Sequence, residues 1–198
     1  MKKFTMALCF GLVFTILISM AKFDASCEQL RQNVLRLHII ANSDSSEDQA
    51  LKLKVRDRIL EAGKGYFGAD MTVEGAIETA KKAVPLFQRE AEMVIAENGY
   101  DYDVNVSVGP AHFGTREYED FTLPAGDYEA VRVVIGSGSG KNWWCVMFPS
   151  LCVPAAGEHD LREAVDDDAA EISENADGYK IRFKVVEWYE DIKNFLFH

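Results

Sequence analysis

Positive charge is what this sequence has least of. Lys and Arg total 21 against 32 Asp and Glu, for a net charge of −11. A surface of that sign repels polyanions, so nucleic-acid binding needs a local basic patch, and the chain has none. Internal repeats and low-complexity tracts are also missing. So is a phosphate loop. Gly136-Ser-Gly-Ser-Gly-Lys141 comes nearest, but the motif requires a glycine at position 135 and a hydroxyl residue at 142, where the chain has Ile135 and Asn142. A helix should follow the loop, and an aromatic strand pattern does instead. The glycines read as a flexible connection between two strands.

Metal and thiol chemistry are no better specified. Cys145, Cys152 and His159 are equally spaced, yet they match no standard zinc spacing and lack a fourth ligand. Asp166-Asp-Asp168 reads as a solvated charge run. A nucleophile pair of Cys145 with His38 or His112 as base has no recognisable context. If Phe148-Pro149 centres a tight reversal, Cys145 and Cys152 fall opposite each other as a candidate disulfide. Two buried thiols are the alternative. These residues specify no cofactor, no metal and no catalytic constellation.

What the chain does have is enough apolar material, 48% of 198 residues, for one domain with a core. It opens with Lys2 and Lys3, then the uncharged run Phe4–Ala21, then small residues up to Cys27. That order describes a secretory signal over residues 1–25, with an uncleaved membrane anchor as the rival. Asp24 stands where a lipid-modified cysteine at 27 would want an apolar neighbour.

Past the signal the periodicity changes several times. Residues 34–41 alternate as a strand. Asn42-Ser43-Asp44 is expected to end it and to cap a helix, as Asp44 with Glu47 or Ser45 with Asp48. That helix carries Leu51, Val55 and Ile59. A second runs over 72–97 from the cap Thr72, with Pro85 off its apolar stripe and a stop at Asn98-Gly99. Strand patterns follow near 104–108, 113–122, 128–135 and 142–148. The last is apolar on both faces, as in a strand interior to a sheet. Its Trp143 and Trp144 read as core, or as an exposed patch for a partner. An acidic linker spans 156–178, where nine carboxylates face one arginine. Residues 179–198 read as a strand, then an amphipathic helix with Trp188, Ile192 and Phe195 docking on the domain. The fold class is α+β: a mixed, mostly antiparallel sheet with two helices on one face, in a domain over 26–155.

Two stretches also resemble a known family. Asn42-Ser-Asp-Ser-Ser-Glu-Asp-Gln49, within 35–58, and Asn142-Trp-Trp-Cys-Val-Met-Phe-Pro-Ser-Leu-Cys152, within 124–153, are similar to stage II sporulation protein R of endospore-forming Firmicutes. The resemblance implies a secreted signalling protein rather than an enzyme. It would be exported from the forespore into the intermembrane space, to activate a membrane-embedded aspartic protease of the mother cell that processes the precursor of sigma factor E. It supplies no catalytic residues. Candidate partner contacts are Asn42, Ser43, Asp44, Asn142 and Trp143. The competing readings are an exported thiol hydrolase using Cys145 and His38, and an anchored structural protein of the envelope.

Overall fold

The elements of the computed structural model follow in chain order. They are α1 (Lys2–Gln32), β1 (Leu35–Ile40), α2 (Ser46–Gly63), α3 (Val73–Glu97), β2 (Val104–Phe113), β3 (Arg116–Glu117), β4 (Thr122–Leu123), β5 (Gly126–Ile135), β6 (Asn142–Phe148), α4 (Asp167–Glu174) and α5 (Lys180–Phe197). The structure describes residues 2–68, 71–149 and 161–197. It is α+β, and its contacts fall into two units interleaved in sequence. One comprises Gln32–Ala111 and Asp127–Ala164; the other comprises Met1–Arg31, His112–Gly126 and Val165–His198.

The first unit holds a mixed sheet ordered β2-β5-β1-β6. All six residues of β1 are buried. It pairs parallel with β5, Leu37 opposite Val131, and antiparallel with β6, Leu37 opposite Cys145. Successive side chains of a strand point to opposite faces. Leu35, Leu37 and Ile39 therefore share one face, where they join Leu51, Val55 and Ile59 of α2 and Ala80, Phe87 and Val94 of α3 in a single apolar core. Arg36 and His38 take the other face. The buried Arg36 guanidinium lies 4.8 Å from the centre of the Tyr128 ring. Thr72 caps α3 as expected, and Pro85 sits on the exposed side of a continuous helix.

Two strand expectations fail here. β5 and β6 form no hairpin, because β1 lies between them. And among the described residues β6 stands at the sheet edge, where the sequence suggested an interior strand. Its side chains are covered on both faces, since Cys145, Met147 and Phe148 join the helix-side core and Val146 is buried opposite. Hydropathy reports the faces of a strand and says nothing about its edges, which explains the misreading. At the other edge, Gln88 of α3 stands in for a missing strand. Its Nε2 donates to the Val104 carbonyl at 2.6 Å, and its Oε1 accepts the Val106 N–H at 2.9 Å. Further along β2, Pro110 has no N–H to offer.

In the second unit, α1 begins with an exposed apolar stretch long and apolar enough to cross a membrane. That is compatible with a signal peptide or an anchor. Beyond it, Phe23 packs edge-on against Phe183 (5.0 Å) and stacks on Tyr179 (5.7 Å). Buried Arg31 donates to the Ala125 carbonyl at 2.9 Å. The expected linker is structured from residue 161 on. Asp166 caps α4, whose Ala169, Ala170, Ile172 and Ser173 are buried; residues 156–160 lie outside the described residues.

The C-terminal segment corrects the sequence reading twice. Residues 180–197 are one helix, with no strand at 179–186. Tyr179, Ile181, Phe183 and Val185 alternate, but Phe183, Val186 and Glu190 recur at helical steps, and those three are the ones buried. Nor do Trp188, Ile192 and Phe195 dock: all three are exposed, because the buried face of α5 is the opposite one.

Candidate functional site

The loop after β5 passes over the end of β1 and is pinned there. Gly140 N–H donates to the Ala41 carbonyl (2.9 Å) and Ser139 N–H to the Asn42 carbonyl (3.2 Å). The Ser137 hydroxyl donates to the same Asn42 carbonyl (2.7 Å), and Ser137 N–H to Asn42 Oδ1 (3.0 Å). Lys141 N–H donates to Asp44 Oδ1 at 2.6 Å. From α2, Lys52 Nζ donates to the Lys141 carbonyl (2.9 Å) and Gln49 Nε2 to the Ser43 carbonyl (2.8 Å). This clasp explains the glycines better than flexibility does. Gly136 has φ +55°, and an added Cβ there would strike the Asn42 side chain. At Gly140 an added Cβ would strike the Ser43 carbonyl, which is backbone and cannot swing aside.

Asp48 organises the side of the clasp nearest α2. Its Oδ2 accepts from Asn42 Nδ2 (2.9 Å) and from the Ser43 hydroxyl (2.5 Å). Those bonds, with a smaller one from Tyr102, hold its carboxyl below the ordinary 3.8 despite burial. Burial holds the Lys52 ammonium below its ordinary value as well, with the Asp44 charge opposing. The helix cap itself is Ser45, whose Oγ accepts the Asp48 N–H at 3.1 Å. Asp44 is therefore not the cap; its carboxylate is turned to the loop.

On the sheet face away from the helices, His38 stacks on Trp144, with ring centres 3.9 Å apart and 18° between planes. Its Nε2 donates to Asn142 Oδ1 at 2.9 Å. Burial holds this imidazole below its ordinary pKa of 6.5, and the charges of Arg132 and Arg36 reinforce the effect. Trp143, on the helix side, is half-buried beneath the Arg56 guanidinium, 5.0 Å from its ring centre.

All five candidate contact residues thus gather at one end of the sheet. Asp44 and Asn142 are exposed; Asn42, Ser43 and Trp143 are half-buried. Sequence reasoning missed two of the residues that hold them, Gln49 and Lys52, and gave the other two different roles: Asp48 as a cap partner and His38 as a candidate base. The i, i+4 spacing of Asp48 and Lys52 puts both on one helix face, a signal that was available.

The thiol reading fails on geometry. Cys145 faces Leu37, and His38 faces Trp144, so the two lie on opposite faces of the sheet. Cys145 is also disulfide-bonded, whereas Cys9 and Cys27 are free. The expected mate Cys152 lies outside the described residues, as does His159. Burial pushes the Cys27 thiol up to about 12, far from a reactive thiolate. His112 Nε2 stands 3.6 Å from the Asp191 carboxylate. Among the described residues, no group of three or more His, Cys, Asp and Glu is placed to hold a metal ion.

The chain has recognisable relatives. A family model described as stage II sporulation protein R matches residues 31–158. The Stage II sporulation protein R of Bacillus subtilis (strain 168) is 30% identical over 223 residues, covering 97% of this chain and 99% of that protein. No solved structure matches.

Proposed function

This chain belongs to the stage II sporulation protein R family, and on that premise we propose that it is the signal by which one sporulating cell activates a protease of the other. A role in sporulation follows from the family. In the finer reading, the protein is made in the forespore and exported into the intermembrane space. There it binds a membrane-embedded aspartic protease of the mother cell, which then processes the precursor of sigma factor E. It acts by affinity. A ligand that prefers the active state of its partner shifts the partner toward that state, and one with equal affinity shifts nothing.

The observation that carries this reading is the clasp. The two most distinctive sequence stretches, a hundred residues apart in the chain, are brought to one partly exposed end of the sheet. Their hydrogen bonds run to each other and to backbone, leaving Asp44, Asn142 and part of Trp143 to the surface. Such an arrangement presents a fixed surface and suits recognition. The apolar start of α1 supports export.

Location tests the proposal. Protein lacking residues 1–25, confined to the forespore cytoplasm, is expected not to trigger precursor processing. The same domain behind a foreign export signal, sent into the intermembrane space from either cell, is expected to trigger it. Full processing by the confined form would overturn the proposal.

A further inference from the structure

Among the described residues outside α1, most of the exposed large apolar side chains lie on α5. Ile181 (82% exposed), Val185, Trp188 (60%), Ile192 (60%) and Phe195 (87%) recur at steps of four, three, four and three. At about 100° per residue they form one narrow stripe, which Tyr189 and Leu196 widen along one side. This is the seam spacing of paired helices, in which apolar knobs enter holes on a facing helix.

Charges border the stripe in a pattern that favours a second copy of the same helix. Lys184 and Asp191 lie seven residues apart along one border; Arg182 and Tyr189 lie seven apart along the other. Lys184 reaches Glu187 (3.0 Å) and Asp191 reaches His112 (3.6 Å), but each remains more than half exposed. Turn a copy of α5 antiparallel, with Ile181 facing Ile192 and Val185 facing Trp188. Lys184 of each chain then meets Asp191 of the other, while Arg182 stays over the Phe23 and Tyr179 rings of its own chain (5.9 and 5.4 Å). An anionic bilayer would attract Lys184 and repel Asp191 and Glu187 on the same border. The area also suffices. Aromatic side chains bury about 150–250 Å² each. Three of them with four aliphatic ones put the stripe on the order of the 800 Å² per partner that a stable interface takes.

We propose that α5 is a homodimer interface, two chains packing antiparallel along Ile181, Val185, Trp188 and Ile192. The inference stands on α5 and does not depend on the signalling role.

The test uses the full chain in a mild detergent micelle, with mass read by sedimentation equilibrium. The wild type is expected to be dimeric. Trp188→Glu and Ile192→Glu, both at exposed positions, are expected to give monomers with unchanged circular dichroism. Lys184→Glu and Asp191→Lys each set two like-charged pairs across the two-fold axis, and each is expected to weaken the dimer about fivefold. The double variant restores opposite charges and is expected to return to the wild-type constant. A monomeric wild type would overturn the proposal, as would a dimer indifferent to Trp188→Glu and Ile192→Glu. Failure of the double variant to recover would overturn the antiparallel pairing. A probe at residue 192 quenched by brominated lipid in a monomeric chain would make the bilayer the occupant instead. No protease enters the experiment, so its outcome is separate from that of the signalling proposal.

Discussion

The carboxylate of Asp44 accepts the backbone N–H of Lys141 at 2.6 Å, across 97 positions of the chain, while its neighbour Ser45 caps α2. Adjacent residues therefore serve two separable purposes. Ser45→Ala is expected to cost about 0.5–2 kcal/mol of global stability, as cap losses do. Asp44→Ala is expected to cost about 0.5–1.5 kcal/mol, and to speed amide exchange at Lys141 selectively. If Asp44→Ala left Lys141 exchange untouched and abolished precursor processing, Asp44 would be a contact residue only.

His38 is expected to contribute to the response of stability to mild acid. Its folded pKa lies below the ordinary 6.5, so the unfolded chain takes up the proton first as pH falls. The contribution is whole above that value and is lost as pH falls from it toward the folded pKa. Asp48 loses its contribution in the same direction but in a lower window, beginning near its ordinary 3.8. Urea midpoints measured at about pH 7.5 and about pH 5.5 are expected to fall more for the wild type than for His38→Gln. Equal falls would show that other groups govern this range.

Gly140 is the least replaceable residue of the clasp. Gly140→Ala drives a methyl group into the Ser43 carbonyl, and overpacking of this kind costs about 1–3 kcal/mol. Gly109, by contrast, has open space at its Cβ position. Gly109→Ala is expected to leave the thermal midpoint nearly unchanged. Equal effects of the two substitutions would contradict the close approach.

The cysteines give a count. Cys9 and Cys27 are free and Cys145 is bonded. With Cys152 as its mate, thiol titration of the denatured, unreduced full chain is expected to find two thiols, and four after reduction. Cys145→Ser is expected to lower stability by about 2–4 kcal/mol, and to lower protein level rather than any chemical step. Four thiols before reduction would exclude the bond.

How much of this was legible in the sequence depended on what periodicity encodes. The caps Thr72 and Ser45 have local causes, and so do the apolar stripe of α3 and the alternation of β1 and β2; sequence reasoning found them, with Ser45 as one of two candidates beside Asp44. The order of strands has no local cause. A short glycine loop between β5 and β6 fits a hairpin as well as it fits a crossing over β1, and only the tertiary pairing decides. The segment around Phe183 fits both periods, and burial of Val186 and Glu190 resolves it in favour of helix. The five contact candidates come from two separate stretches, and it is the pairing of β1 with β6 that brings them to one end of the sheet. The bonds that fix them escape notice, because Asp48 reads only as the capping partner of Ser45 and Lys52 is not singled out.

The clasp also orders events in time. A chain emerging N-terminus first presents β1 and Asn42-Ser43-Asp44 long before the segment that completes them exists. Contacts of such long sequence separation form late, after the entropy of closing the intervening loop has been overcome. Until Gly136–Lys141 arrives, the carbonyls of Ala41 and Asn42 have only water to bond. The composite surface therefore cannot be displayed by a chain that ends before Lys141. It forms only once the chain has been made from Ala41 through Lys141 and its two ends brought together.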